Sequence, residues 1–490
     1  MGMHKRLVLA TTALSILYYG PVGYQYDILN TPQSVIQDFV VSNLNQRYGI
    51  HLSDGAVSII WSFHVSLLSL GSIVGCMLVP YVADNLGRKR SLLLICNPIA
   101  VVADILLVIA KPCGSAEVLL LGRFIAGVRC GLSSTIAATL MNECAPEQYR
   151  GKVGSILDFC ACLGNVLAFP LGLPFVLGTE SRWPFLLGLD LVCAISAFAL
   201  VPCFPGSPKF LLLKKNDTAT AENAIKYYYG DQVSTQKVID KITADESAVT
   251  QQANGMSTLQ LIKEYKNTFL MCVVIGFLPG TSGFQALGSY SSPILEKFGM
   301  PLQLADTYTL VMAGFELFGS LGSLHINHKI GRRPVLLSTT GICLLCHAVL
   351  FVVLRISQTL DDSSPIKYYL VDAAGWMFFL IAGVCAMALY PLTTVVPPEL
   401  APLPVRSTAT SIGLGALSVG DVITKLAIWP LINVMGSYVF LILLFTTCLC
   451  WIILIRFLPE SHPSYAEQIW RGAKVGPRLN EDDIFIVSRL

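Results

Sequence analysis

Charge is what this sequence has least of. Asp, Glu, Lys and Arg make up 13% of its 490 residues, about half the roughly 25% of an ordinary soluble chain. Apolar residues fill 54%. A chain so poor in ions cannot clothe its surface for water, so it reads as a membrane protein with the lipid bilayer as its surroundings. The net charge is only +2, with no block of Lys and Arg to meet phosphates, which sets nucleic acid aside as a partner. No phosphate-cradling Gly-rich loop, no Ser/His/Asp grouping and no paired CxxC motifs are present, so the chain reads as a non-enzyme without metal or cofactor. Its fifteen cysteines lie mostly inside apolar runs, as Cys76, Cys160, Cys272 and Cys343 do, and read as small packing residues.

What is present is a series of apolar runs, each near the roughly 20 residues that a membrane span needs. Twelve are expected, centred near residues 17, 69, 101, 130, 165, 194, 278, 316, 346, 380, 417 and 448. The start, MGMHKRLVLATTALSILYYG, has the basic-then-apolar order of a leader but no small-x-small cleavage site, and reads as a retained first span. One long polar stretch separates spans six and seven. The expected organisation is a six-helix bundle over 1–204, a linker with short helices over 205–266, a second bundle over 267–458 and a tail over 459–490. Lys and Arg concentrate at the N-terminus, the 2–3 and 8–9 loops, the linker and the tail. By the positive-inside rule both termini should be cytoplasmic in a multi-pass protein, expected in the plasma membrane.

The halves repeat each other. DNLGRKR (84–90) and HKIGRRP (328–334) follow spans two and eight, and ECAPEQYRG (143–151) and ELAPLPVRS (399–407) follow spans four and ten. A tandem six-span repeat sets the substrate path between the halves near the bilayer midplane.

These motifs, with GYQYDILNTPQ (23–33), LGRFIAGVRCGL (121–132), RWPFLL (182–187), PGSPKFLL (205–212) and LPES (458–461), resemble the sugar porter branch of the major facilitator superfamily, and the animal facilitative glucose transporters most of all. The resemblance implies an all-α membrane protein of twelve transmembrane helices in two six-helix bundles. It also implies a cytoplasmic gate of Arg88, Lys89, Glu143, Arg150, Arg332, Arg333, Glu399 and Arg406, whose pairs would latch the bundles. The alternative for the Arg-Lys-Arg cluster is plain anchoring of the loop. Proton-coupled members place Asp directly after Gly-Tyr or Gly-Phe in the first span. Here Gln25 stands there, and Asp27 lies about 200° further round the helix, which favours passive uniport.

The family's sugar site is much altered. Ser282, Gln285 and Tyr290 keep part of span seven. Asp158 and Glu316 replace an amide in each of spans five and eight, and Thr394 and Leu417 replace two tryptophans. The substrate-binding set expected is Gln25, Asp158, Ser282, Gln285, Tyr290, Glu316 and Thr394. A mid-membrane carboxylate costs roughly 2.5–3.5 kcal/mol, so each should face a cavity or a partner. Asp421 and Lys425, four apart, can neutralise each other, while Asp104 and Asp190 have no evident partner. FLPGTSGFQALGSYSS (277–292) breaks span seven, with Gly283 and Gly288 expected as hinges. The leading expectation is a facilitative carrier of a hexose or similar small polyol. The alternatives are a proton-coupled or cationic-solute carrier using Asp158 or Glu316, and a non-transporting sensor.

Overall fold

Inside a bilayer no water can meet a backbone N–H or C=O, so an apolar run satisfies them internally by coiling into a helix. The computed structural model describes residues 3–458 apart from 50, 231–232, 254–257, 362–363 and 402–404, and the tail at 459–490 lies outside the described residues. The side chains of 248–259, 324–329, 398, 406 and 407 are likewise outside the description. Among the described residues the chain is helical with no strand. Spans 1 to 7 are Lys5–Asp27, Asp54–Leu86, Arg88–Ile109, Ala116–Cys144, Glu147–Leu171, Trp183–Cys203 and Lys266–Lys297. Span 8 is Leu302–Lys329, and spans 9 and 10 are Arg332–Ser357 and Pro365–Pro397. Spans 11 and 12, Arg406–Met435 and Val439–Phe457, form a near-continuous apolar hairpin.

Polar residues fix the helix starts. Ser53 and Ser115 accept from the backbone N–H of Ala56 and Val118 at the heads of spans 2 and 4. Ser207 and Asp217 do the same for the linker helices Pro208–Leu213 and Thr218–Tyr229. Each such cap satisfies a donor that the first turn leaves open.

Lipid gives no hydrophobic drive for helix to meet helix, so packing falls to small residues that let backbones approach. Gly71 and Gly75 of span 2 lie against the carbonyls of Phe124 and Val128 on span 4, and Gly127 and Gly131 lie against those of Leu68 and Ser72. Span 8 meets span 10 in the same way, Gly319 on the carbonyl of Gly383. Gly23 and Gly164 join spans 1 and 5, and their counterparts Gly276 and Gly280 join span 7 to Gly413 and Gly420 of span 11. The contacts 1–5 and 2–4 of one half thus recur as 7–11 and 8–10 of the other. Span 2 then packs on span 11, and span 5 on span 8, to join the halves.

The halves are shut at the face opposite the linker. Asn30 donates to the Gly288 carbonyl at 2.6 Å and to Ser291 at 2.9 Å, tying span 1 to span 7. Asn433 of span 11 donates to Ser58 of span 2 at 2.7 Å and accepts from Lys297 at 2.5 Å.

Replacing Gly127 by valine sets a side chain on the Leu68 carbonyl. Thermal unfolding in detergent should show a loss of about 1–3 kcal/mol, the usual cost of overpacking. Gly154→Ala, whose added carbon meets nothing within 4 Å, should not be destabilised.

Candidate functional site

Span 7 is two helices, Lys266–Thr281 and Phe284–Lys297, joined through Ser282 and Gly283. Gly283 has φ +71°, a left-handed conformation that costs other L-residues about 1–2 kcal/mol. The bend is satisfied locally: Ser282 donates to the Pro279 carbonyl at 2.8 Å, and Thr447 of span 12 donates to the Thr281 carbonyl at 2.7 Å. Gly288 is no hinge, contrary to expectation. It sits inside the second helix, where an added Cβ would lie 2.6 Å from Asp27 Oδ1. Its smallness lets span 1 approach.

Just past the bend, Phe284 and Gln285 line a narrow cleft between the halves. The N-terminal half contributes Gly23, Tyr26 and Asn165, and the C-terminal half Glu316 and Tyr390. Asn165 donates to Glu316 Oε1 at 2.8 Å across the cleft. A π-helical turn at Cys385–Leu389 directly precedes Tyr390 in span 10, and such turns recur at functional positions in helices. Carboxylate and amide oxygens accept from hydroxyls, while the faces of Tyr26, Tyr390 and Phe284 supply apolar walls. That mixture suits a small polyhydroxylated molecule.

Of the residues singled out in the sequence, Gln285 and Glu316 line this cleft. Asp158, 6% exposed, lies beside it, one turn before Ala161 and Cys162, which line it. Ser282 is fully buried in the bend. Tyr290 is engaged within the C-terminal half, donating to the Lys425 carbonyl at 3.1 Å and stacking on Trp429 at 5.7 Å. Thr394 donates to the Pro391 carbonyl of its own helix at 2.7 Å. Gln25 does not reach the cleft. Its Oε1 and backbone carbonyl both accept from Arg123 Nη1 at 3.0 Å, and its Nε2 donates to Leu187, so it belongs to the interior of the N-terminal half. Asp190, expected to lack a partner, pairs with Arg129 of span 4, and Asp104 lies in the field of the same guanidinium. Tyr26, Asn165, Phe284 and Tyr390 were missed because neither charge nor spacing marks them.

At the linker face Arg88 pairs with Glu143 at 3.1 Å and with Asp84 at 3.2 Å, and stands over the Phe210 ring. Glu143 also accepts from Ser207 at the head of a linker helix. Arg332 pairs with Glu399 at 3.3 Å. Both pairs join groups of one half. Arg150 pairs with Glu147 at 3.9 Å, not with Glu143, because Arg88 already holds that carboxylate. Lys241 of the linker helix Thr235–Ala253 reaches Glu147 at 2.6 Å. Lys89 and Arg333 donate to the carbonyls of Pro202 and Ile455. The Arg406 side chain lies outside the described residues.

Residues 12–472 match the family described as sugar (and other) transporter. The chain is 31% identical over 366 residues to solute carrier family 2, facilitated glucose transporter member 9 of Mus musculus, a match covering 74% of this chain and 66% of that one, just under two thirds of its length. Member 3 of Ovis aries is 26% identical over 488 residues, covering 96% of this chain and 94% of the relative. Among solved structures, a major facilitator proton:xylose symporter bound to 6-bromo-6-deoxy-D-glucose superposes with TM-score 0.77 at 17% identity, covering 94% of this chain and 99% of that one. An inward-open xylose transporter from E. coli superposes with TM-score 0.72.

Gly283→Ala places a side chain where φ is positive. Initial uptake rates in proteoliposomes should fall several-fold. Gly341→Ala, whose nearest neighbour is Trp451 at 4.0 Å, should leave them unchanged.

Proposed function

Since the chain belongs to the sugar (and other) transporter family and has the major facilitator fold, we propose that it carries a hexose or similar small polyol down its gradient by alternating access. The halves that rock are 1–204 and 267–458, joined by the linker 205–266 and followed by the tail 459–490. Both termini and the linker face the cytoplasm, and the membrane is the plasma membrane. The observation that carries this reading is the cleft shared by both halves, with Gln285, Glu316 and Asn165 as hydrogen-bonding groups and Tyr26 and Tyr390 as walls.

Each half moves as a body because glycine contacts lock its helices together. The substrate enters the cleft by the linker face, the face that the Asn30 and Asn433 bonds leave untied. Hydroxyls of the solute displace the Asn165–Glu316 bond and take up its donor and acceptor, so the halves grip the solute in place of each other. Release of Asn30 from span 7 then lets the opposite face part. The bend at Gly283 lets the second half of span 7 swing while Lys266–Thr281 stays packed on span 11. The arginine pairs of each half, with side chains only 8–25% exposed, keep the helix ends at the linker face in register.

Passive transport is supported by Gln25. Its neutral amide, not a carboxylate, meets Arg123, so that position has no proton to exchange.

Purified protein in liposomes should equilibrate at least one of a panel of hexoses, pentoses and polyols, and never concentrate it under an imposed pH or voltage gradient. Equilibration of none refutes the substrate class, and accumulation refutes uniport. Glu316→Leu removes a charge-assisted acceptor worth about 1.5–3 kcal/mol, so KM should rise roughly tenfold or more.

A further inference from the structure

One set of charges has no part in that reading, and it lies between the halves. Asp421 and Lys425, one turn apart on span 11, pair at 3.4 Å with side chains 2% and 0% exposed. Ser69 of span 2 donates to the other Asp421 oxygen from across the interface. The Lys425 ammonium stands over the Tyr26 ring of span 1, 4.6 Å from its centroid, a favourable cation–π arrangement. Asp27, next along span 1 and 4% exposed, lies in the field of both Lys425 and Asp421. Glu316 of span 8 lies near Asp27, and Tyr390 of span 10 lies near Asp421. Tyr290 of span 7 approaches through its hydroxyl, bonded to the Lys425 carbonyl. Of all these groups only Lys425 is a cation.

Asp27 Oδ1 is buried without a hydrogen-bond partner among the described residues, and Asp421 Oδ1 and Lys425 Nζ have none beyond their ion pair with each other. Asp27 and Asp421 against one ammonium leave one negative charge even before Glu316 is counted. Hydrocarbon penalises such a charge steeply, and among the described residues no second cation is ion-paired with the cluster.

We propose that Asp27, Asp421 and Lys425 form a proton-binding latch between the halves, occupied by one proton while the face opposite the linker is shut and emptied when that face opens. The proton sits on Asp27, since Asp421 already has Ser69 and Lys425. Its carboxyl lies against Gly288, directly beneath the bonds from Asn30 to Gly288 and Ser291. Those bonds must break for spans 1 and 7 to part. Opening admits water to Asp27 from that side alone, so the proton leaves and returns by one face and none is carried across. The latch rests on the alternating-access reading and leaves transport passive. Its sign follows from linkage: the shut state binds the extra proton, so acid favours the shut state and alkali favours opening.

The test uses full-length protein in liposomes without sugar. Ser62 is fully buried on the same face of span 2 as Ser58 and Ser69. In a Ser62→Cys background, labelling by a membrane-impermeant maleimide applied at the face opposite the linker reports opening. Dividing by the rate of the exposed Cys113 in the loop after span 3 removes the reagent's own pH dependence. The ratio should climb with pH, by up to about tenfold per unit for one proton. Asp27→Asn should hold it low and flat. Asp421→Asn leaves one carboxylate with one ammonium and should also flatten the slope. Lys425→Gln leaves two carboxylates uncompensated and should steepen it. A pH-independent ratio in the parent, a slope that survives in Asp27→Asn, or a Lys425→Gln variant that flattens like the aspartate variants overturns the latch. Should Asp27→Asn fail to fold, the opposed directions in Asp421→Asn and Lys425→Gln still decide. A flat slope in a working hexose carrier refutes the latch alone. A sloped response in a protein that moves no hexose refutes the substrate reading alone.

Discussion

Every polar group that this chain carries into the bilayer must find its partner inside the protein, and the whole architecture answers to that constraint. It rules out lipid-exposed loops and open strand edges in the hydrocarbon, and makes helices of the apolar runs, whose backbone groups are then satisfied within each helix. The helices are joined in two distinct ways. Within a half, glycines bring backbones into contact, as between spans 2 and 4 and between spans 7 and 11. Between halves, hydrogen bonds and charges meet across the interface, as Asn165 meets Glu316 and Ser69 meets Asp421. Close backbone packing has a single geometry and is costly to undo. A hydrogen bond can be exchanged for one to solute or water at little net change, since the net value of a typical one is only about 0.5–1.5 kcal/mol. The rigid and the mobile contacts are thus separated by chemistry.

The same division explains the two kinds of buried charge. Arg129 with Asp190, and Arg123 with Gln25, lie within the N-terminal half and are sealed by it. Breaking a pair of that sort strands a charge in low dielectric and costs several kcal/mol, so these groups hold spans 1, 4 and 6 in fixed register throughout a cycle. The charges of spans 1 and 11 lie at the surface where one half meets the other, where the proposed alternating access would change their surroundings.

The fold was legible in the sequence because its signals are redundant. Twelve apolar runs, a single polar interruption and two copies of each loop motif all give the same answer. The glycine contacts that hold the halves were not legible, since a glycine that lets a neighbour approach looks like one that bends a helix. Gly283 and Gly288 make the point, as five residues apart one supplies a positive φ and the other supplies room for Asp27. Within the cleft, Gln285 and Glu316 stood out as polar groups in an apolar run, whereas Tyr26 and Tyr390 read as ordinary aromatic filling. The pair Asp421 and Lys425 was visible from its spacing alone. That Asp27 joins it depends on how the halves are docked, and no local pattern encodes that.

Gln25 and Asp27 show how one helix can serve both purposes. Two positions apart, their side chains leave span 1 about 200° from each other. One points into the bundle, where Arg123 and the Leu187 carbonyl enclose it. The other points to the seam against Gly288. A carboxylate at position 25 would be matched to Arg123 in a permanently sealed site, and its ionisation would be fixed by that guanidinium in every state of the cycle in which the half stays intact. A carboxylate at position 27 has no such fixed partner, and its surroundings are set by the docking of the halves. The chain has placed its neutral amide at the first position and its acid at the second. Of these two positions, the ionisable group is therefore at the one whose surroundings depend on how the halves dock.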